Sequence, residues 1–278
     1  MASLVEELVE SGIHFGQRRS NWNPRMRPYI YTVRNGIHII DIKETVKGLL
    51  LAKKFIGKLV ADGKDVLFVG TKRQAQAALE QYAGGAKMPY VTERWLGGTL
   101  TNFRTIRDRL KRLEELERIM ESGDIKNYSK KMESQLTREQ KKIFRNLNGI
   151  RTMHRLPGAI VVVDTNREKN ALLEAKNLGI PTICLIDTDG DPELADIPIP
   201  GNDDSMRSID VVIRELCAAV SEGLGHRQTN DAVSAKREGR DGGEGDAGDG
   251  QQRRRSSRSR FRSDSAGDAG AEVTASAE

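Results

Sequence analysis

Residues Ala159–Asp164 read AIVVVD, an unbroken β-branched apolar run closed by an aspartate, and two other stretches share its character: DVLFVG at Asp65–Gly70 and PTICLID at Pro181–Asp187. Continuous apolar character, without alternation, marks strands covered on both faces, as in a parallel sheet. GIHIID at Gly36–Asp41 predicts one more strand, nearer an edge. Helical patterns follow most of these runs. Glu44–Val60 places Val46, Leu49, Leu50, Phe55, Ile56 and Leu59 at helical spacing, Lys72–Tyr82 is rich in Ala and Gln, Arg167–Leu178 runs into a Gly179-Ile180-Pro181 stop, and Ser205–Leu224 closes the body. Strand–helix alternation at this spacing predicts right-handed βαβ units and an α/β fold with a doubly wound, mainly parallel sheet.

Outward from that frame, the segment Asn102–Gly149 contains no strand-like run. Ile106, Leu110, Leu113, Leu116 and Met120 form one narrow stripe, Gly123 interrupts, and Leu136, Ile143, Phe144 and Leu147 form another. Two helices with narrow stripes and basic outer faces predict an antiparallel, coiled-coil-like helical hairpin inserted at 102–149 into a sheet domain made of 1–101 and 150–225. Beyond His226 large apolar side chains almost vanish, so 226–278 cannot bury enough surface to offset its ordering entropy and is expected to be a disordered tail. Within it, RRRSSRSRFR (Arg253–Arg262) is a basic block.

The chain has 278 residues, 31% of them charged and 37% hydrophobic. No run nears the roughly 18 apolar residues of a membrane span. The start, MASLVEELVESG, carries Glu6, Glu7 and Glu10 where a secretory signal needs a basic and then an apolar stretch. Cys184 and Cys217 sit in apolar surroundings with no metal or disulfide spacing, which reads as buried thiols in a reducing compartment. The net charge of +5 conceals segregation. Phe15–Gly36 has five bases and no acid, Arg94–Arg112 six bases to one acid, and Lys126–Arg155 nine to two, whereas Asp187–Asp204 has seven acids and no base. One such cluster reads as a solvated face; three together predict a side that meets a polyanion.

The sheet class often carries enzymes, but catalytic signatures are missing. FVGTKRQA (Phe68–Ala75) leaves a strand and enters a helix with a single glycine, Gly70, short of a dinucleotide fingerprint or a Walker loop. Thr71, Lys72 and Arg73 suit an isolated phosphate at most, or simply a polar helix start. No Gly-x-Ser-x-Gly elbow occurs, neither cysteine has a base nearby in sequence, and His14, His38, His154 and His226 make no metal-binding pair. His38 reads as a strand histidine satisfied by a backbone partner. Asp187 with Asp203 or Asp204, and His14 beside them, are the one oxygen-rich set a divalent cation would accept; solvated loop acids are the plainer reading.

Basic residues interleaved with aromatics say more. RRSNWNPRMRPYIYTVRNG (Arg18–Gly36), whose prolines are expected to keep it extended, and ERWLGGTLTNFRTIR (Glu93–Arg107) offer cations for phosphates and Asn, Thr and rings for sugars and bases. The rings of Trp22 and Trp95 read better as core anchors than the arginines do. The candidate RNA-binding set is Arg18, Arg19, Trp22, Asn23, Arg25, Arg27, Lys72, Arg73, Arg94, Asn102, Arg104 and Arg107, with Lys130, Lys131, Lys141, Lys142 and Arg145 on the hairpin.

GIHFG (Gly12–Gly16), WNPRMRPYIYTVRNGIHIIDIKETV (Trp22–Val46), LFVGTKRQA (Leu67–Ala75), RWLGGTLTNFRTIR (Arg94–Arg107) and IPGNDD (Ile199–Asp204), in this order, resemble small-subunit ribosomal protein two of bacteria. The resemblance covers about residues 3–224. It implies a flavodoxin-like sheet domain with an inserted helical hairpin and a non-catalytic, architectural role. It further implies small-subunit ribosomal RNA as partner, with neighbouring ribosomal proteins that include the messenger-binding ribosomal protein one, and a cytoplasmic location without membrane, cofactor or self-association. The chain departs from the family at Gln17, where relatives carry a second histidine near a metal on the recruitment surface. The rival readings are a protein-interaction module without RNA contact and a phosphate-ligand-binding α/β domain, the latter opposed by the missing Gly-rich loop.

Overall fold

In the computed structural model, which describes residues 4–123 and 128–241 (side chains through 227), the three quoted runs become adjacent parallel strands. They are β4 (Val66–Val69), β6 (Ala159–Val163) and β7 (Thr182–Ile186), following β1 (Phe15–Arg18), β2 (Ile30–Arg34) and β3 (Ile37–Ile40) in the chain. With β5 (Tyr90–Val91) and β8 (Ile197–Pro200) they form a five-stranded parallel sheet in the order β5-β4-β6-β7-β8. Every residue of β4, β6 and β7 is buried, the signature of a sheet covered on both faces. Alternate residues feed two cores. Phe68, Val161, Val163, Ile183 and Leu185 pack with α1 (Leu4–Glu10), α2 (Ile42–Ala61), α3 (Arg73–Ala78) and α7 (Met206–Asp241). Leu67, Val69, Ile160, Val162, Cys184 and Ile186 pack with α4 (Phe103–Ser122), the end of α5 (Lys130–Leu147) and α6 (Lys169–Leu178). The doubly wound α/β expectation is borne out, and the strand order reverses between β4 and β6.

GIHIID is not an edge of this sheet. It is β3, the centre of a separate three-stranded antiparallel sheet ordered β1-β3-β2. Only Asn35 and Gly36 separate β2 from β3, both in the left-handed region (φ 52° and 77°), and a two-residue turn of this kind permits antiparallel pairing alone. The proline-rich stretch before β2 is likewise not extended. Pro24–Tyr29 is a 3-10 helix, with Pro24 in its first turn and the Asn23 side chain accepting the Arg25 N–H at 3.0 Å.

The end of the chain also differs from expectation. α7 continues as helix to Asp241, well past His226, because extending an existing helix needs no new nucleus. The body comprises residues through Ala235, Lys236–Glu278 form a second unit, and the rest of the expected tail, 242–278, lies outside the described residues. Between Asn102 and Gly149 the backbone forms α4, capped by Gly123 in the left-handed region (φ 78°), and α5, the two packing on each other. The stripe residues Ile106, Leu110, Leu113 and Leu116 are buried, whereas Phe144 is exposed. Among the described residues no helix is long and apolar enough to cross a membrane.

Helix α2 lies so close to β8 that a Cβ on Gly48 would stand 2.4 Å from the Pro198 carbonyl oxygen. Gly48→Ala is therefore expected to destabilise the fold by about 2 kcal/mol, the usual scale of overpacking. Urea denaturation should show the midpoint falling with an unchanged slope.

Candidate nucleic-acid interface

The loop after β5 carries the densest set of candidates, and a half-buried carboxylate on α6, that of Glu174, shapes it. Glu174 Oε1 accepts from Trp95 Nε1 (3.0 Å) and the Gly98 N–H (2.8 Å), while Oε2 accepts from the N–H groups of Leu100 (3.0 Å) and Thr101 (3.2 Å) and from the Thr101 hydroxyl (3.2 Å). Gly98 meets this geometry at φ 89°, open to glycine without strain. Burial alone would raise the Glu174 carboxyl, but the hydrogen bonds from Gly98, Trp95, Leu100 and Thr101 outweigh it and hold it below its ordinary value. Trp95 is thus buried as an anchor, and Arg94 is turned out to solvent. Nothing in the sequence marks Glu174 as the organiser of a loop more than seventy residues earlier.

Arg94 joins the α5 cations. A cleft of about 530 Å³ is lined by Glu93, Arg94, Lys141, Lys142, Arg145 and Asn146. Arg145 is anchored by Nε and Nη2 to Glu93 Oε2 (2.8 and 2.5 Å), which ties α5 to the β5 loop. Arg104 is exposed on the first turn of α4, and Asn102 accepts from the Thr105 hydroxyl at 2.8 Å. Arg107 is half-buried and occupied, donating to the Met153 carbonyl (3.1 Å) and meeting His154 Nδ1 at 2.6 Å. Lys130 and Lys131, at the start of α5, are exposed.

A second group sits on the small sheet. Arg18, Arg19 and Arg27 are exposed and form no ion pair among the described residues. Arg25 is paired to Asp191 (2.6 Å) and Glu193 (3.2 Å), and Asn23 serves as a helix cap. Trp22 is half-buried, its ring 5.1 Å from that of His38. His38 differs from expectation: neither ring nitrogen has a hydrogen-bond partner, because strand pairing consumes the nearby backbone groups and the ring packs on Trp22. Burial, with Arg19 adding, lowers its pKa.

Lys72 does not stand with the exposed cations. Its ammonium is enclosed by Asp164 (3.2 Å), Asp203 (2.7 Å) and Asp204 (2.6 Å) at the C-terminal edge of the parallel sheet. Burial opposes its charge, yet Asp203 and the other carboxylates raise its pKa. Asp187, Asp203 and Asp204 bring carboxylate oxygens within 4.8 Å of one another, the arrangement a cation would seek. Those oxygens already face N–H donors: Gln17 Nε2 donates to Asp187 (3.1 Å) and Asp204 (2.7 Å), and Lys72 supplies the positive charge. A carboxamide nitrogen is a donor and not a ligand, and His14 is packed on Phe15 with its Nδ1 unbonded, so the set as built does not fit a metal ion.

With this geometry in place, the profile of the family described as Ribosomal protein S2 matches residues 8–223. The chain belongs to that family. It is 56% identical over 233 residues to the small ribosomal subunit protein uS2 of Rhodopirellula baltica, covering 84% of this chain and 90% of that one. The uS2 of Mycolicibacterium vanbaalenii is 48% identical over 220 residues (79% and 81% of the two chains). The uS2c of Guillardia theta is 48% identical over 231 (83% and 98%). The resemblance carried by the sequence motifs is borne out, and family membership makes this a structural, non-enzymatic ribosomal protein.

Proposed function

We propose that this chain, as a structural constituent of the small ribosomal subunit in the cytoplasm, binds small-subunit ribosomal RNA through two basic surfaces. The first is the cleft between the β5 loop and α5, with Arg94, Lys141, Lys142 and Arg145, continued by Arg104 and by the basic face of an α4–α5 hairpin. The second is the small sheet with Arg18, Arg19 and Arg27. The observation that carries this reading is that Arg94 and the α5 cations, some fifty residues apart, line one cleft on a loop fixed by Glu174. The small sheet also exposes Phe15, Tyr31, Val33 and Ile37, apolar groups suited to a protein neighbour, and we assign ribosomal protein one to that surface.

Arg94→Glu with Arg104→Glu should lower rRNA affinity about 30-fold near 0.1 M salt and flatten the dependence of log K on log salt by about 1.5. Filter binding across a salt series measures both. Wild-type values of both would remove these arginines from the interface. Sedimentation of lysate on sucrose gradients at low and moderately high salt tests the assembly itself: the chain should travel in the small-subunit peak and leave it as salt rises.

A further inference from the structure

The parallel sheet reverses its winding between β4 and β6, and at this switch point open α/β sheets bind ligands beyond the carboxyl ends of their strands. Here a cavity of about 450 Å³ lies over that point, lined by Thr71, Lys72, Arg73, Gln74, Gln76, Glu93, Arg145 and Arg167. Among these, four are cationic and Glu93 alone is acidic. Two of the cations are spoken for, Lys72 by its three carboxylates and Arg145 by Glu93. Arg73 forms no ion pair or side-chain hydrogen bond among the described residues.

Arg167 is held in place without a direct ion pair among the described residues. Its Nε donates to the Thr71 hydroxyl at 2.9 Å; that hydroxyl donates to Glu168 Oε1, which also accepts the Thr71 N–H at 3.0 Å. Glu168 is 2% exposed, and its burial raises its pKa. The loop beneath is fixed as well. Asp164, in the left-handed region at φ 71°, accepts the N–H groups of Asn166 (2.9 Å) and Arg167 (3.2 Å) on Oδ1. The guanidinium of Arg167 is thus positioned through Thr71 by a buried carboxyl, leaving its terminal nitrogens for a ligand. Arg73 and Arg167 thus line one cavity without a direct ion pair among the described residues, and a tetrahedral phosphate matches the guanidinium fork.

We propose that Arg73 and Arg167, with the Gln74 amide beside them, form a seat for a single phosphate group at the β4–β6 switch point. The source of that phosphate is the RNA backbone if the ribosomal RNA reading above holds, and a free phosphate ester otherwise. The chemistry of the seat is the same in both cases. Arg73 is a phosphate candidate from the sequence, and Arg167, which belongs to neither basic surface described above, is the contact that the sequence alone does not suggest.

The test uses the full chain and the variant Arg73→Gln/Arg167→Gln, with Lys54→Gln/Lys58→Gln on the exposed face of α2 as a control of equal charge loss. Arg73→Gln alone serves as the variant whose side chain supports nothing in the fold. Filter binding to small-subunit rRNA reads the backbone source, and NMR of the arginine Nε signals during titration with inorganic pyrophosphate reads the free source. An rRNA affinity reduced about 10-fold or more in the arginine variants, against 3-fold or less in the control, supports a backbone phosphate. Saturable shifts of the Arg73 and Arg167 signals with pyrophosphate, with the Arg167 shift weakened in Arg73→Gln while rRNA affinity is unchanged, support a free phosphate ester. Equal losses in arginine variants and control, without pyrophosphate shifts, overturn the seat while leaving RNA binding intact. If wild-type protein binds no rRNA, the ribosomal RNA reading fails separately, and the seat then stands or falls on the pyrophosphate titration.

Discussion

Replacing Glu174 by alanine is expected to cost about 3 kcal/mol of stability and to disorder the Trp95–Asn102 loop, because several donors to a charged acceptor lose it at once. The donors are the Trp95 indole, the N–H groups of Gly98, Leu100 and Thr101, and the Thr101 hydroxyl. Buried Trp95 then has no acceptor for its indole, and the loop loses the hub that turns Arg94 outward. Glu174→Gln should recover only part of the loss, since its amide nitrogen repels the donors that one carboxylate oxygen served. The pH dependence gives a further handle. The Glu174 carboxyl is held below its ordinary value of 4.5, so its contribution is fully present above that value and is lost as pH falls through the lowered one. The stability gap between wild type and Glu174→Gln should therefore be flat from about pH 6 to 8 and close below about pH 4. Denaturant titrations with Trp fluorescence measure it. A gap of under about 0.5 kcal/mol at pH 7 would mean the loop holds itself. With the loop disordered, rRNA affinity should drop in Glu174→Ala as well, although no RNA-facing charge has been changed.

How much of this was legible in the sequence follows from the range over which each signal acts. β4, β6 and β7 announce themselves because burial on both faces demands an unbroken apolar run, and any short window shows it. The small sheet was only half legible. Its central strand is visible as an apolar run, but its place depends on the Asn35–Gly36 turn, which pairs it with β2 and which the apolar run by itself does not show. β8 reads IPIP and β5 has two residues, so neither carries a strand pattern of its own; both exist because a neighbour offers an edge. For the site, exposure of Arg94, Arg104 and the α5 lysines follows from composition. The convergence of Arg94 with Lys141 and Lys142, and the diversion of Lys72 to Asp203, depend on pairs far apart in the chain, and a single sequence carries no signal for those. Glu174 and Arg167 belong to the same class. Each is an ordinary charged residue on or beside a helix until the fold places it against a loop from the other side of the switch point.

The same fold geometry explains why this sheet's acidic edge acts as structure, and Lys72→Met is the variant that exposes it. Asp203 is 2% exposed and Asp187 likewise, and burial pushes their carboxyls up to about 8 and about 7. Asp164 and Asp187 add to the rise at Asp203, and Lys72 opposes it without cancelling it. These two acids favour their protonated form in the folded chain, so the fold binds more protons than the unfolded chain between the ordinary value of 3.8 and those raised values. Stability should accordingly fall as pH rises across that window and level off above it. Removing the Lys72 ammonium takes away the cation that, among the described residues, pairs with Asp164, Asp203 and Asp204. Above the raised values this leaves buried carboxylate charge without a partner and should cost about 4 kcal/mol, the scale for breaking a buried pair. Near pH 5.5 Asp187 and Asp203 hold their protons, there is less charge to strand, and the cost of Lys72→Met should fall to about half that. Urea denaturation of wild type and variant at pH 5.5 and 8.5 decides the matter. An equal loss at both pH values would show that the acids are ionised throughout and that Lys72 pairs with fixed charge. A loss that grows with pH would show that Gln17 and Lys72 hold a cluster whose remaining balance is kept by protons.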